Sequence, residues 1–588
     1  MAPPLASQIE FTLFAPNINS VSLIGSFSAW QGIPMRKFND GQWRLNVSLE
    51  DGEYEYAFRL QPIVIEKRKN GKKEPVQLNK FQDVIDPYAM KVNLSKNVGV
   101  VTIKNGMKII DEYEWKYDNE AVNFPQNKDL VIYELYIGDF TEKGTFQAAI
   151  DKLDYLVILG INCISLLPIA EDGEEHSWGY AIRHFFCIRS AYGTSEDLKH
   201  FVDECHHRRI RVIFDAICNH AQGECPLYQI DPTPYFYWNQ IHHPEHPEEH
   251  WGPEFNYEKI EAEEDKWTRD VKPAVQFMSD LLRYYIEEFH IDGLRFDAAK
   301  QIDNYDVLRY FDRFAKEIIK TKFNSKPFYT IAELIPATDS VTKPHGPLDS
   351  VWRNISHQLV KQLKNKDDFN LKSLETLLRP IGVGRDEQYE TGERFIIYLS
   401  SHDNDRMLRV VRGEESNDNL LDETLWRQVK LAITLLFTAT GVPMVYMGDE
   451  IGMANEIGKE DKTTRVNKLD WSLITRQPNC SLLELIQSLI RLRHHSAAIR
   501  SDNLNVFHAD VERQVLAYER WSSENEDDRV VVIANFSKNE YKGYKVINWH
   551  MVGRWEQVLG TSYIQVATTH LILNLSAHEG IVFMYKSK

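Results

Sequence analysis

The pattern of apolar and polar positions changes twice along the chain. From residue 9 to about residue 60, apolar and polar residues alternate between short turn segments, as in "IEFTLFAPNINSVSLIGSFSAW" (9–30). A period of two is typical of strands with one buried face, so this region is predicted to be an antiparallel β-sandwich. Short strands return after about residue 500, where a small β-domain is predicted.

Between these two regions, apolar strand segments alternate with amphipathic helices, which indicates a parallel sheet covered on both faces. The predicted strands are 130–137, 161–169, 210–217, 291–298, 328–334, 350–356, 395–401 and 443–450. Eight such units close a (β/α)8 barrel. The predicted fold class is therefore α/β: a TIM barrel with an N-terminal β-sandwich domain and a C-terminal antiparallel β-domain. The predicted domain limits are 1–110, 111–498 and 499–588.

Three local segments add detail to this picture. The basic stretch "EKRKNGKKEP" (66–75) is predicted to be a solvated hairpin loop. Thr194 or Ser195 is expected to cap a helix over 194–209. The connection after the third barrel strand is long and rich in Pro, His and aromatic residues, so a subdomain is predicted in the loop 221–270.

Polar residues cluster at the carboxyl ends of the predicted strands, where nearly all TIM-barrel enzymes carry their active sites. They are Asp215, Asn219 and His220 on strand three, Arg295 and Asp297 on strand four, Glu333 on strand five, His402 and Asp403 on strand seven, and Asp449 and Glu450 on strand eight. We therefore expect at least four acidic groups to meet at one rim of the barrel.

The pair in "HIDGLRFDAAK" (290–300) suggests a specific chemistry. Arg295 and Asp297 are two residues apart in a strand and so share a face. The guanidinium is expected to lower the pKa of Asp297 and keep it ionised, as a carboxylate nucleophile requires. A carboxyl group on the next strand, about 4.8 Å away, suits the carboxyl separation of about 5–5.5 Å in a retaining glycosidase. An isolated pair of this kind is more often a buried salt bridge, but the number of carboxylates at this rim favours a catalytic site.

Composition and charge exclude some classes of binding partner. The formal net charge of −18 disfavours a nucleic acid, because a polyanion would be repelled, and favours a neutral or cationic ligand. No apolar run approaches the length of about 20 residues that a membrane helix needs, so no membrane partner is expected. The N-terminus lacks the pattern of a secretory signal, so a cytoplasmic location is expected. The six cysteines show no CxxC spacing, which favours reduced, buried thiols.

Four segments, in the expected order and at the expected strand ends, resemble the conserved motifs of the α-amylase superfamily, glycoside hydrolase family 13. They are "DAICNH" (215–220), "DGLRFDAAK" (292–300), "IAEL" (331–334) and "SSHDND" (400–405). The stretch "WGYAIRHFFCIRSAYGTSEDL" (178–198) is also similar to the family, but it departs at His184, where the family often has Asp. The opening segments "LIGSFSAW" and "DGEYEYAF" resemble a carbohydrate-binding module of family 48. Trp30 and Trp43 are candidates for stacking on glucose there, but core packing is expected for at least one of them.

The resemblance implies roles for particular residues. Asp297 would be the nucleophile, Glu333 the general acid and base, and Asp403 the carboxylate that stabilises the transition state. The implied substrate-binding residues are Tyr180, Asp215, His220, Arg295, Lys300 and His402. Asn219 matches a position that binds calcium in many amylases, so calcium is kept open there, while no cofactor is expected to be required.

The motifs identify the family more clearly than they identify which reaction this member catalyses. "HDNDR" (402–406) and "GDEIG" (448–452) favour a retaining hydrolase that cleaves α-1,4 bonds of maltooligosaccharides, glycogen or starch. "WGPEFNYE" (251–258) instead resembles the branching enzymes and trehalohydrolases, so a 1,4-α-glucan branching or other transferase reaction is the alternative. Debranching, neopullulanase or cyclodextrinase, and trehalohydrolase activities are further alternatives, as is a non-catalytic glycogen-binding protein. The histidines of "NQIHHPEHPEEHW" (239–251) are interpreted as part of a surface loop rather than a metal site. The oligomeric state is left open.

Overall fold

A computed structural model gives the architecture of the chain. The structure describes residues 6–117, 123–172, 178–239, 241–258, 272–335, 341, 346–364, 369–379, 391–412, 422–454, 467–559 and 562–586. None of the helices within these ranges combines the length and apolar character that a membrane span requires.

The N-terminal region forms two facing antiparallel sheets, as the period-two pattern predicted. One sheet has the strand order Ser7–Phe14, Gln42–Leu49, Arg36–Lys37. The other runs Val92–Asn93, Val98–Lys104, Gly52–Leu60, Val21–Gly25, Ile33–Pro34, with Gln82–Val84 and Met107–Ile109 paired to its members. The basic stretch forms the predicted hairpin, between the strands Ile63–Lys67 and Lys73–Gln77.

The eight predicted barrel strands are all present and close a parallel barrel in sequence order. They are Ile132–Leu135, Cys163–Leu166, Arg211–Ala216, Gly293–Phe296, Tyr329–Ala332, Ser350–Asn354, Phe395–Tyr398 and Val442–Tyr446. An apolar layer that includes Ile213, Ile331 and Ile396 fills the interior below the polar rim. The TIM-barrel prediction is confirmed.

Helices cover the outside of the barrel. The longer ones are Leu153–Leu159, Ser195–His207, Pro273–Phe289, Tyr305–Lys322, Ser356–Lys364, Leu371–Leu378, Glu423–Thr438 and Asn479–His495. Shorter helices are Ile137–Phe140, Phe146–Ile150, Pro226–Ile230, Ala299–Ile302, Met407–Arg412 and Ala497–Arg500. Thr194 caps the helix Ser195–His207 in a capping box with Asp197, as predicted.

The C-terminal region is a second antiparallel β-structure. Its six-stranded sheet has the order Leu504–Asp510, Val515–Trp521, Arg529–Asn535, Glu579–Lys586, Gly553–Gln557, Tyr563–Val566. Tyr541–Ile547 and His570–Leu575 form a two-stranded sheet beside it. The predicted domain limits themselves stay predictions.

The third loop of the barrel packs on the N-terminal sandwich. Ile230, from the short helix Pro226–Ile230 in this loop, belongs to the same buried cluster as Phe11 and Leu23 of the sandwich. The side chain of Asn17 donates hydrogen bonds to Asp231 Oδ2 (3.0 Å) and Thr233 Oγ1 (3.2 Å) in the same loop. Of the subdomain predicted in 221–270, residues 240 and 259–270 lie outside the described residues.

Candidate active site

The polar rim of the barrel is organised around one buried arginine. Strand pairing places Asp215 beside Arg295, and Arg295 beside Ile331, so the guanidinium emerges between strands three and five. Arg295 Nη1 lies 2.6 and 2.8 Å from the two carboxylate oxygens of Asp215, and 2.9 Å from Asp297 Oδ1. Its Nη2 lies 2.9 Å from Glu333 Oε2. One guanidinium therefore contacts three carboxylates from three neighbouring strands.

Aromatic rings hold this guanidinium in place. It lies over the ring of Trp352 on strand six, 4.3 Å from the ring centroid. The hydroxyl of Tyr180 donates a 2.7 Å hydrogen bond to Asp215 Oδ2. Planar stacking and bidentate contacts are interactions that arginine makes and lysine does not. The geometry explains why an arginine stands in a strand whose other residues are apolar.

Asp297 and Glu333 are neighbours at the mouth of the barrel. Glu333 Oε2 accepts a 2.8 Å hydrogen bond from the backbone N–H of Ala298, directly after Asp297. Ala298 adopts a left-handed backbone with φ of 47°, which costs free energy for a residue other than glycine. The N–H of this turn therefore holds the Glu333 carboxylate next to the chain segment that carries Asp297. Two carboxylates that share one guanidinium suit the separation of about 5–5.5 Å in retaining glycosidases.

The pKa of Asp297 differs from the sequence-based expectation. Burial raises it well above the ordinary value, and the nearby charges of Glu333, Asp215 and Asp403 raise it further. Arg295 does lower it, as expected, but does not outweigh these effects. The expectation that Arg295 gives Asp297 a depressed pKa is therefore wrong. The strand pattern revealed the arginine, whereas the depth of burial and the number of surrounding carboxylates depend on the closed barrel.

His402 and Asp403 complete the rim from strand seven. His402 Nδ1 lies 2.7 Å from Glu134 Oε1 on strand one, and its Nε2 lies 3.3 Å from Asp403 Oδ1. Burial opposes protonation of the ring, but Asp403 and Glu134 outweigh it and raise the pKa of His402 to about 9. The ring of Tyr180 stacks on His402, with centroids 5.1 Å apart and planes 13° apart. His402 is thus a second cation in a site dominated by carboxylates.

Three predicted residues lie beside this cluster. His220 is buried next to the backbone of Tyr180, and burial lowers its pKa to about 4, so the ring is neutral at pH 7. Lys300 turns to Glu249 of the third loop, with Nζ 2.9 Å from Oε1. Asn219 Nδ2 lies 3.5 Å from His220 Nδ1. His184, where the sequence departs from the family, is buried, and burial lowers its pKa to about 3.

The calcium prediction at Asn219 stays a prediction. In the described part of the chain, one group of three potential ligand side chains comes together, and it consists of His246, Glu248 and Glu249. This group consists of histidine and carboxylate side chains and does not include Asn219, so it does not bear on the calcium prediction. Glu249 is already engaged by Lys300 and Gln301. The histidines of the third loop also contact other groups: His243 lies 3.1 Å from the carbonyl of Gln301, and the ring of His242 stacks on Tyr237.

The two acidic residues predicted at strand eight contact tyrosine and serine hydroxyls. Glu450 Oε1 accepts hydrogen bonds from Tyr133 and Tyr155, at 2.9 and 3.0 Å. Asp449 contacts Ser400, and burial raises its pKa to about 7. Both are buried, and both support the strand-eight turn.

Sequence reasoning missed two residues of the site, Glu134 and Trp352. Glu134 is the sole charged residue in the apolar segment "LVIYELYI" (130–137), and that isolation is the signal that could have revealed it. Trp352 carries no such signal, because a tryptophan in an apolar strand is ordinary core composition.

Comparisons with known proteins agree with this architecture. The alpha amylase catalytic domain model matches residues 131–473, the alpha amylase C-terminal all-beta domain model matches 507–580, and the carbohydrate-binding module 48 (isoamylase N-terminal domain) model matches 2–89.

Curated relatives match over nearly the whole chain. The chain is 26% identical to a 1,4-alpha-glucan branching enzyme of Vibrio parahaemolyticus, over 94% of this chain and 72% of that protein. It is 26% identical to the branching enzyme of Bacillus cereus, over 92% and 81%. A malto-oligosyltrehalose trehalohydrolase of Saccharolobus solfataricus is 25% identical, over 66% of this chain and 72% of that protein.

Solved structures show the same fold. Pullulanase type I from Bacillus subtilis, complexed with maltose, aligns with a TM-score of 0.76 at 18% identity, over all of this chain and 86% of that one. Pullulanase from Paenibacillus barengoltzii aligns with a TM-score of 0.73 at 19% identity, over 99% and 94%. The chain belongs to the α-amylase superfamily, glycoside hydrolase family 13, with an N-terminal carbohydrate-binding module of family 48 and the all-β C-terminal domain.

Proposed function

We propose that this protein is a 1,4-α-glucan branching enzyme that works by a retaining double displacement. The observation that carries the choice of reaction is the likeness to 1,4-alpha-glucan branching enzymes, which spans 92 to 94% of this chain in the two relatives described above. The motifs alone favoured hydrolysis, so the comparisons change the order of the two hypotheses.

In the first step, an oxygen of Asp297 attacks the anomeric carbon of the glucose residue to be transferred. The bond to the leaving 4-oxygen breaks, and protonated Glu333 gives its proton to that oxygen. The product is a glycosyl ester on Asp297. Arg295 Nη1 lies 2.9 Å from Asp297 Oδ1 and so orients the attacking carboxylate.

In the second step, a 6-hydroxyl of another glucan chain attacks the anomeric carbon. Glu333, now ionised, accepts the proton of that hydroxyl, and the ester bond to Asp297 breaks. Two inversions retain the α configuration and convert an α-1,4 bond into an α-1,6 bond. Water in place of the hydroxyl would give hydrolysis through the same intermediate.

The charges of the site suit the transition state of both steps. While Glu333 carries the proton that it donates, three carboxylates (Asp215, Asp297 and Asp403) surround two cations, Arg295 and His402. The remaining negative potential favours the positive charge that develops on the sugar ring as the bond breaks. This is the role proposed for Asp403, whose side chain is 43% exposed at the mouth of the site.

Incubation with amylose tests the reaction. Branching lowers iodine staining and creates α-1,6 anomeric signals in proton NMR, without a matching rise in reducing ends. Replacing Asp297 by Asn should lower turnover at least about 1,000-fold while the circular dichroism spectrum persists. Asp303→Asn is a matched control, because Asp303 is an exposed carboxylate six residues after Asp297. Its backbone is left-handed, a conformation that asparagine also adopts without strain.

The second candidate is the α-1,4 hydrolase favoured by "HDNDR" (402–406) and "GDEIG" (448–452). A rise in reducing ends that parallels the loss of iodine staining would establish hydrolysis and refute branching. Near-normal turnover in the Asp297→Asn variant would refute the mechanism for both candidates. Complete lack of turnover in the unmodified protein would favour a non-catalytic glucan-binding protein.

A further inference from the structure

Trp251 is an exposed aromatic residue in the third barrel loop. Its exposed fraction is 52%, and its ring lies 5.8 Å from the ring of His220, with planes 49° apart. Isolated exposed aromatic residues are common on protein surfaces and alone imply no function. What distinguishes Trp251 is where the backbone fixes it.

The residues after Trp251 are joined to the extension of strand three. The backbone N–H of Ala221 donates to the carbonyl of Pro253, and the N–H of Phe255 donates to the carbonyl of Asn219, both at 2.9 Å. Gly252 packs directly on this extension, since a Cβ built there would lie 2.2 Å from the carbonyl oxygen of Ala221. The segment 252–255 is therefore held against the extension of the strand that carries Asp215.

The residues before Trp251 are joined to the turn that follows strand four. Glu249 accepts from Lys300 Nζ (2.9 Å) and from Gln301 Nε2 (2.8 Å). Gln301 is nearly fully buried and lies four residues after Asp297. His250 is held within the third loop itself, with Nε2 3.1 Å from the carbonyl of His243 and Nδ1 3.4 Å from Glu254 Oε1.

Trp251 is thus anchored on one side to strand three and on the other to the helix Ala299–Ile302 that follows Asp297. We propose that its indole face stacks on the glucose residue next to the one that reacts at Asp297, which makes Trp251 a specificity-determining residue of the third loop. A flat apolar ring beside a polar site matches a pyranose ring, which presents C–H bonds on its faces and hydroxyls at its edge. The exposed half of the indole is the surface that a sugar would cover.

This inference rests on the proposed α-glucan substrate but not on branching. It is therefore tested by binding, with maltoheptaose as the probe and the full-length Asp297→Asn protein as the background, so that no turnover is needed. Calorimetry gives the dissociation constant. Tryptophan emission gives a second readout, because a sugar that stacks on an indole changes its emission.

Removing the ring should weaken binding while a smaller ring should retain it. In the Asp297→Asn background, Trp251→Ala should raise the dissociation constant about tenfold or more, and Trp251→Phe should raise it about threefold or less. The Trp251→Phe variant should also lose most of the emission change although it still binds. Tyr563→Ala is the control: Tyr563 is 61% exposed in the C-terminal sheet, and its replacement should change neither readout.

Several results would overturn the inference. They are a dissociation constant for Trp251→Ala within about twofold of the background, an equal loss in Trp251→Ala and Trp251→Phe, an emission change that persists in Trp251→Phe, and no binding of maltoheptaose to the Asp297→Asn protein. If the binding results are as expected but amylose is hydrolysed, branching is refuted and the role of Trp251 is upheld.

Discussion

Arg295 shows how much one residue organises in this protein. Its side chain is 2% exposed and contacts Asp215, Asp297 and Glu333. Removing it would leave three neighbouring carboxylates without their shared cation, and buried charges without partners cost several kcal/mol. A lysine would keep the charge but would lose both the planar fork and the stacking on Trp352. The roles of nucleophile and acid therefore depend on a residue that itself transfers no proton.

His402 provides a prediction at this scale. Because Asp403 and Glu134 raise its pKa to about 9, the ring is cationic at neutral pH and loses its charge above about pH 9. We expect kcat/KM to fall along an alkaline limb near pH 9. Replacing Glu134 by Gln removes one of the two carboxylates that raise the pKa, so the limb should move to lower pH. The measurement is kcat/KM on amylose from pH 6 to 10.5.

Two comparisons make this test decisive. In a His402→Gln variant, the alkaline limb assigned to this ring should disappear from the remaining activity. An alkaline limb at the same pH in the unmodified protein and in Glu134→Gln would contradict the assignment.

Individual residues were predictable from sequence to different degrees. Four residues were predictable because the sequence shows an apolar strand segment that ends in a charged residue: Asp215, Arg295, Asp297 and Glu333. The structure brings these four together. The net pKa of Asp297 was not predictable, because it sums burial with charges from strands distant in sequence. The partner of Lys300 was equally hidden: Glu249 lies 51 residues away in a loop without a periodic pattern.

At the scale of elements, the barrel strands were the most predictable part and the long loop the least. All eight strands were predicted because apolar segments that alternate with amphipathic helices are typical of a parallel sheet covered by helices. The third loop follows no repeat, and its shape is fixed by contacts with strand three and with the helix Ala299–Ile302. Such contacts join residues that are far apart in the sequence, so no local pattern reveals them.

The position of Gly252 yields a prediction for this loop. A Cβ there would lie 2.2 Å from the carbonyl oxygen of Ala221, so Gly252→Ala must push the loop away from strand three. We expect kcat/KM on amylose to fall at least about tenfold, with little change in the midpoint of thermal unfolding. Gly223→Ala is the matched control in the same loop, because a Cβ there has open space around it. Equal activity in the two variants would show that the loop position does not matter for catalysis.

At the scale of the whole molecule, the N-terminal sandwich and the barrel share packing. Ile230 of the third loop is buried in the core of the sandwich. Tyr88 of the N-terminal region stacks on Phe186, with ring centroids 4.8 Å apart, and donates a hydrogen bond to Asp280 Oδ2. The third loop, which carries Trp251, is therefore packed against the N-terminal sandwich as well as against the barrel.

Truncating Ile230 tests this coupling. Ile230→Ala should lower the free energy of unfolding of the core that it fills by about 2–5 kcal/mol. Because that core is the core of the sandwich, hydrogen exchange should rise in Ser7–Phe14 and Val21–Gly25 as well as in residues 225–236. Ile158→Ala, at a position that is 71% exposed, should change neither region. Faster exchange confined to 225–236 would show that the two units are independent.

The burial of Ile230 also limits how this protein can be recombined. A sandwich taken from another enzyme would need a pocket for this isoleucine and a hydrogen-bond donor to the Asp231 carboxylate in place of Asn17. Grafting only the barrel would leave an apolar side chain of the third loop in water. Exchange of parts between relatives is therefore expected to succeed when the sandwich and residues 225–236 are transplanted as one piece, even though more than a hundred residues separate them in the sequence.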